Sequence, residues 1–243
     1  LTYSLITVEQ SKSVITEAFR TLRTNVQFTS IDLKTQKIMV TSAGPREGKS
    51  VTVANLAVSI AQTGKSVLIL DADLRNPTQH KIFGIDNGRG LSVALFEDED
   101  FRDYLKETEV SGVTVLTGGP IPPNPAELVG SKRMKQLIQD ASQEYDVILI
   151  DTPPVVAVTD AAILAQEADG VIMVVASGEV SKEYAQTAKE QLDKVGAKIL
   201  GVVLNKVDVK TGDYYYYYYY HGSQDKRKKR HHRKEKASSS VSA

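Results

Sequence analysis

KIMVTSAGPREGKSV, Lys37–Val51, is the stretch that decides the fold. An apolar run, KIMVTS, stops at a glycine-containing turn, and the chain resumes with Val53, Leu56, Ala57, Ile60 and Ala61 at helical spacing. A strand, a tight turn and a helix in that order form a phosphate cradle, because turn amides and the helix N-terminus all point at one anion. The expected nucleotide-contacting residues are therefore Gly44, Pro45, Arg46, Glu47, Gly48, Lys49, Ser50 and Val51. Lys49 reaches the β and γ oxygens, and the Ser50 hydroxyl is a ligand for Mg²⁺. The motif is imperfect: it calls for glycine five places before Gly48, where this chain has Ala43, and Gly44 comes one place late.

Outward from this loop the same unit repeats. SVLIL (Ser66–Leu70), VTVL (Val113–Leu116), VILI (Val147–Ile150), VIMVVA (Val171–Ala176) and ILGVVL (Ile199–Leu204) barely alternate in polarity, as strands buried on both faces do. Helix-compatible segments lie between most of them, for example Met134, Leu137, Ile138 and Ala141. The pattern predicts an α/β fold of the P-loop NTPase type, a parallel sheet with helices on both faces and right-handed crossovers. Ligands of such sheets bind at the C-terminal ends of the strands. SVLILDADLR places Asp71 and Asp73 there, and VILIDTPP places Asp151. A single aspartate after a strand is commonly a turn or helix cap, but three converging on a phosphate loop suit a cation and a proton acceptor. Asp151, with Ser50, is the expected metal-side ligand. Asp71 and Asp73 are candidates for metal positioning and for accepting a proton, and spacing does not separate the two roles. Asn205, after the last run, is read either as a nucleotide-base contact or as a turn residue.

Before the first strand, Ser11–Phe28 carries Val14, Ile15, Ala18, Leu22 and Val26 on one stripe, a helix outside the sheet core. At the other end, seven tyrosines, Tyr214–Tyr220, precede KRKKRHHRKEK, Lys226–Lys236, and a serine-rich end that is expected to be a disordered tail. The organisation expected is a helical extension over 1–36, a nucleotide-binding domain over 37–213 and a tail over 214–243. The formal net charge of zero conceals this division: the tail from Tyr214 has eight Lys/Arg and two Asp/Glu, so it carries +6 and the rest −6. There is no cysteine, which excludes a disulfide scaffold, a thiolate zinc site and a cysteine nucleophile. No apolar run approaches the roughly 18 residues of a membrane span, and a cytoplasmic protein with peripheral membrane recruitment is expected.

These features together resemble the bacterial tyrosine kinases of capsular and exopolysaccharide operons, in the split Gram-positive form with a separate transmembrane activator. The resemblance rests on Gly48-Lys49-Ser50, Asp71 and Asp73, Asp151-Thr152-Pro153-Pro154, the proline-rich GGPIPPNPAELVGS and the terminal tyrosines. It extends to Glu17, Arg20 and Arg23, which fit an E-x-x-R-x-x-R pattern. It implies ATP and Mg²⁺ as cofactors, with Lys49, Asp71 and Asp73 in the catalytic role. Tyr214, Tyr215, Tyr216, Tyr217, Tyr218, Tyr219 and Tyr220 would be the phosphoacceptors. It implies a ring-shaped homo-oligomer with Glu17, Arg20 and Arg23 at the subunit contact, although charges so spaced are equally a solvated helix face. Further implied partners are the transmembrane polysaccharide co-polymerase activator and a cognate phosphotyrosine phosphatase. The basic block suits an anionic membrane surface or water alone, and no nucleic acid is expected as a partner. The competing reading is a partitioning-type ATPase switch, whose phosphate loop carries a second lysine where this chain has Gly44.

Overall fold

Alternation along each strand divides its side chains between two faces of a sheet, and each face here has its own core. The computed structural model describes residues 5–29, 35–97 and 99–208, and the chain up to Lys206 makes one compact unit. The seven strands are β1 (Lys37–Ser42), β2 (Val67–Asp71), β3 (Leu105–Glu107), β4 (Val113–Leu116), β5 (Val147–Asp151), β6 (Gly170–Ala176) and β7 (Ile199–Asn205). Their order is β3-β4-β2-β5-β1-β6-β7, parallel throughout except for β3. The helices are α1 (Ile6–Glu9), α2 (Val14–Thr29), α3 (Lys49–Ala61), α4 (Gln79–Phe83), α5 (Leu91–Glu97), α6 (Pro125–Val129), α7 (Lys132–Glu144), α8 (Asp160–Leu164) and α9 (Lys182–Lys194).

On one face Ile38, Val40, Val67, Ile69, Val147 and Leu149 meet Val53, Leu56 and Ile60 of α3 and Val26 of α2. On the other, Met39, Leu68, Leu70, Ile148 and Ile150 meet Leu95 of α5, Leu137 and Ile138 of α7, Leu164 of α8 and Leu192 of α9. Helix α3 is buried on almost every side. The reason lies outside the sheet: α1 and α2 cover its outer surface. Thr7 donates from its backbone N and its Oγ1 to Asn55 Oδ1, at 3.1 and 2.9 Å, and Arg23 donates to the Ser59 carbonyl at 2.7 Å.

The expected parallel sheet with helices on both faces is present; one addition and two corrections follow. The addition is β3, which pairs antiparallel at one edge. Three residues show no readable periodicity, and an antiparallel edge on a parallel sheet is a common addition. The run at β7 is not buried on both faces: Val202 and Leu204 are 58% and 59% exposed. It is the other edge strand, and an apolar run alone does not tell an edge from a centre. The N-terminal helix begins at Val14 rather than Ser11, behind the short α1, and Val14 and Ile15 of its apolar stripe are exposed. Periodicity marks a stripe without saying how much of it finds a partner.

Ile150 of β5 has no exposed surface and lies immediately before Asp151. Ile150→Ala should lower unfolding stability by about 2–5 kcal/mol, read as a shift of the urea midpoint with unchanged slope.

Candidate nucleotide and phosphoryl-transfer site

Parallel register builds the site before any ligand is considered. β2 and β5 are neighbours, and their pairing sets Asp71 directly opposite Asp151 at the ends of both strands. β1 ends beside them and feeds the loop Ala43–Gly48 into α3. Helix α3 has no side-chain cap, so its first amides are free of a protein acceptor at that position.

The loop is fastened at three points. Ser42 Oγ donates to the Gly44 carbonyl at 2.7 Å. The buried Glu47 carboxylate accepts from Gly44 N and, through its other oxygen, from Ala176 N of β6 at 2.9 Å. Asn205, at the end of β7, donates from Nδ2 to the Glu47 carbonyl at 2.8 Å. Gly48 at the crossing has φ +92°, and a Cβ there would come within 2.1 Å of Asn205 Nδ2. Only glycine satisfies both the left-handed backbone and the close approach. Arg46 also has a positive φ, 63°, and with Pro45 it is exposed. The expected base contact, Asn205, thus stands against the loop backbone with its amide nitrogen already engaged.

Lys49, Ser50, Asp71, Asp73 and Asp151 come together. Lys49 Nζ lies 2.7 Å from Asp73 Oδ2, 3.6 Å from Asp151 Oδ1 and 3.1 Å from Ser50 Oγ. Burial alone would push the Lys49 pKa down, but the charges of Asp151, Asp73 and Asp71 outweigh it and hold the ammonium above its ordinary range. Asp71 shows the opposite balance: burial first, then the charge of Asp151, push it up to about 8, against backbone N–H bonds from Gln79 and Thr78 at 2.9 Å. Burial likewise raises Asp151, opposed by Lys49, Ser50 and Gln79.

Gln79, which the sequence reading passed over, ties these groups together. It is fully buried at the start of α4, and its Nε2 donates to Asp151 Oδ2 at 2.7 Å and to the Ser50 carbonyl at 3.1 Å, while its backbone N serves Asp71. No local signal in PTQHKIF marks it, because all three partners are distant in sequence or belong to another strand. Arg75 is a second such residue: its fork donates to both oxygens of the buried Asp160 at 3.0 Å, fixing the loop after β2 to α8.

A buried oxygen without a hydrogen-bond partner remains on each of Asp71 (Oδ1), Asp151 (Oδ1) and Gln79 (Oε1). Three carboxylates around one lysine also leave an excess of negative charge. Both observations fit a divalent cation held partly by water and phosphate, as Mg²⁺ is. Among the described residues no group of three acidic or histidine side chains forms a metal cage, and Mg²⁺ does not require one. Glu17, Arg20 and Arg23 are not part of this site: they lie on α2, where Arg20 donates to Glu17 and to the Ser11 carbonyl. The tyrosines Tyr214–Tyr220 lie outside the described residues.

With this geometry in view, known proteins give a consistent picture. The ParA family model, described as NUBPL iron-transfer P-loop NTPase, matches residues 34–234. The tyrosine-protein kinase YwqD of Bacillus subtilis (strain 168) is 46% identical over 202 residues, which cover 83% of this chain and 85% of that protein. The crystal structure of the chimerical protein CapA2B2 superposes with a TM-score of 0.81 at 44% identity, covering 85% of this chain and 91% of that one. The septum site-determining protein MinD from Pyrococcus horikoshii, complexed with Mg-ADP, matches with a TM-score of 0.62 at 25% identity over 71% of each chain. A phosphate loop facing three carboxylates, on a P-loop NTPase sheet and at this level of identity, places the chain in the family of bacterial tyrosine-protein kinases.

Proposed function

We propose that the chain is a protein-tyrosine kinase that transfers the γ-phosphoryl group of ATP to its own C-terminal run, Tyr214–Tyr220, the tail of one subunit serving its neighbour. The observation that carries the reading is the buried cluster of Lys49 with Asp73 and Asp151 at a phosphate loop, in a chain of this family with seven consecutive tyrosines.

In this reading the loop amides and Lys49 bind the β and γ oxygens, and Lys49 stays an ammonium because its carboxylate neighbours keep it so. Asp73 is the positioning partner, engaged by Lys49 Nζ on one oxygen and by Asn76 N at 3.1 Å on the other. Asp71 has an open oxygen, and once ionised it is the stronger base for its pKa, raised to about 8 by burial and the charge of Asp151, which suits an acceptor for the phenolic proton. Mg²⁺, when bound, neutralises charge on the transferred group; Ser50 Oγ with the open oxygen of Asp151 would hold it, and Asp71 would reach it only through water. Gln79 keeps Asp151 turned toward Lys49 and Ser50.

The same reading extends to regulation of capsular or exopolysaccharide assembly, with a transmembrane activator and a phosphotyrosine phosphatase as partners. Among the described residues no helix is long and apolar enough to cross a membrane; recruitment to the inner membrane face by the activator and the basic tail belongs to the same proposal. For the ring contact, the Glu17 and Arg20 side chains are 51% and 36% exposed and available to a second copy. Arg23 is partly spent within its own chain on Ser59. A switch ATPase without a tyrosine acceptor is the alternative that the ParA family match keeps in view, and Gly44 in place of the second lysine argues against it.

Lys49→Met, and separately Asp71→Asn with Asp73→Asn, should abolish phosphotyrosine formed with Mg-ATP while leaving the circular dichroism spectrum unchanged. Replacing Tyr214–Tyr220 by Phe should remove most label and spare ATP binding. Label undiminished in the double Asn variant would refute the assignment.

A second expectation follows from buried charge. The folded state holds Asp71 protonated up to about pH 8 against an ordinary value of 3.8. This raised pKa contributes stability below about pH 4 that is lost as pH climbs to 8. In EDTA without nucleotide, Asp71→Asn should therefore unfold at a higher temperature than wild type, by a margin that widens from pH 5 to pH 8. Thermal melts across that range test it, and parallel curves would contradict it.

Glu17→Ala with Arg20→Ala should convert the ring to smaller species by analytical ultracentrifugation and leave the melting temperature within a few degrees. An unchanged sedimentation profile would remove these two residues from the interface.

A further inference from the structure

Tyr184 lies against the phosphate loop without being part of it. It sits in the first turn of α9, where its backbone N donates to Ser181 Oγ at 3.2 Å. From there the phenol ring covers the start of the loop: a Cβ placed on Gly44 would lie 3.2 Å from Tyr184 Cε1 and 3.9 Å from its hydroxyl oxygen. The ring therefore occupies the space that a side chain at position 44 would need, and Gly44 beneath it is buried. Tyr184 itself is 39% exposed, whereas Tyr104 is fully buried. Among the described residues nothing forms a hydrogen bond with the Tyr184 hydroxyl. A half-exposed, uncommitted phenol thus stands on the nucleotide loop of a chain from a tyrosine-kinase family.

We propose that Tyr184 is a phosphoacceptor outside the tail, and that its phosphorylation weakens nucleotide binding at the loop it covers. The proposal rests on the kinase reading above. In the transfer step Tyr184 Oη bonds to the γ-phosphorus of ATP held by another copy of the chain. The bond from that phosphorus to the β,γ-bridging oxygen breaks, and ADP leaves with the electron pair. The phenolic proton passes to a carboxylate of the donating site or to water. The product is an aryl phosphate of about −1.5 to −2 charge at the edge of the loop that otherwise receives the anionic phosphates of ATP. Like charge opposes nucleotide entry. The ring also borders Gly44, whose N–H is one end of the Glu47 clamp to Ala176, so a charged group added there acts next to the loop's fastening. A product of the reaction would so act on the loop that performs it, and Tyr184→Phe keeps the ring contact while removing the acceptor.

The test compares three full-length chains incubated with Mg-ATP: wild type, a chain with Tyr214–Tyr220 replaced by Phe, and the latter carrying Tyr184→Phe as well. Phosphopeptides are mapped by mass spectrometry, and affinity for a fluorescent ADP analogue is measured before and after incubation. Expected are tail label in wild type, and in the second chain one phosphate on the peptide containing Tyr184 with a Kd raised about fivefold. The third chain should show neither change. Tail label in wild type with Tyr184 unmodified overturns the proposal and leaves the kinase reading standing, as does modification of Tyr184 with Kd unchanged. Absence of label in every chain overturns the kinase reading and this inference with it.

Discussion

One buried ammonium facing three buried carboxylates is the constraint on which the rest of this structure depends. Lys49, Asp71, Asp73 and Asp151 are almost wholly withdrawn from water, and burial of charge is tolerated only where partners are arranged at short range. The arrangement has several origins. β2 and β5 bring two aspartates opposite each other by register alone, the third follows two residues after the end of β2, and the lysine arrives from the first residue of α3. The amide of Gln79 then joins the end of β5 to the start of α3. Even so carboxyl groups outnumber cations, and the nucleotide-free protein meets the surplus by keeping a proton on Asp71. A divalent cation carrying an anionic nucleotide can take over that proton's role, which is what makes the site receptive to it.

Much of this was legible before any coordinates. The strand cores were, because Val, Ile and Leu runs of four to seven residues with helical segments between them admit few arrangements other than a parallel sheet. Asp71 and Asp151 were legible as strand-end residues, since the C-terminal edge of such a sheet is where chemistry collects. Gln79 was not, because its significance comes from three partner atoms, on Ser50, Asp71 and Asp151, that only the folded sheet brings together. Tyr184 was visible as a tyrosine but not as a cover for Gly44, since that contact joins α9 to the loop after β1. Nor could the runs tell which strand lies at an edge: β7 reads as apolar as β5, yet Val202 and Leu204 face outward.

The loop itself shows how a motif with an irregular start is made rigid. Where the usual first glycine would be, the chain has Ala43, which is fully buried in the core. Rigidity comes instead from Glu47, which holds Gly44 on one side and β6 on the other, and from Asn205, which holds the Glu47 carbonyl. The fastenings come from strands on one side of β1, while the carboxylates come from strands on the other. The nucleotide loop is thus the seam at which the two halves of the sheet are joined.

Asn205 also ties the edge of the sheet to the site. The last strand ends against the phosphate loop, its final side chain holding the Glu47 carbonyl. A pull on this edge strand is therefore felt at the loop backbone and, one residue further on, at Gly48, where α3 begins.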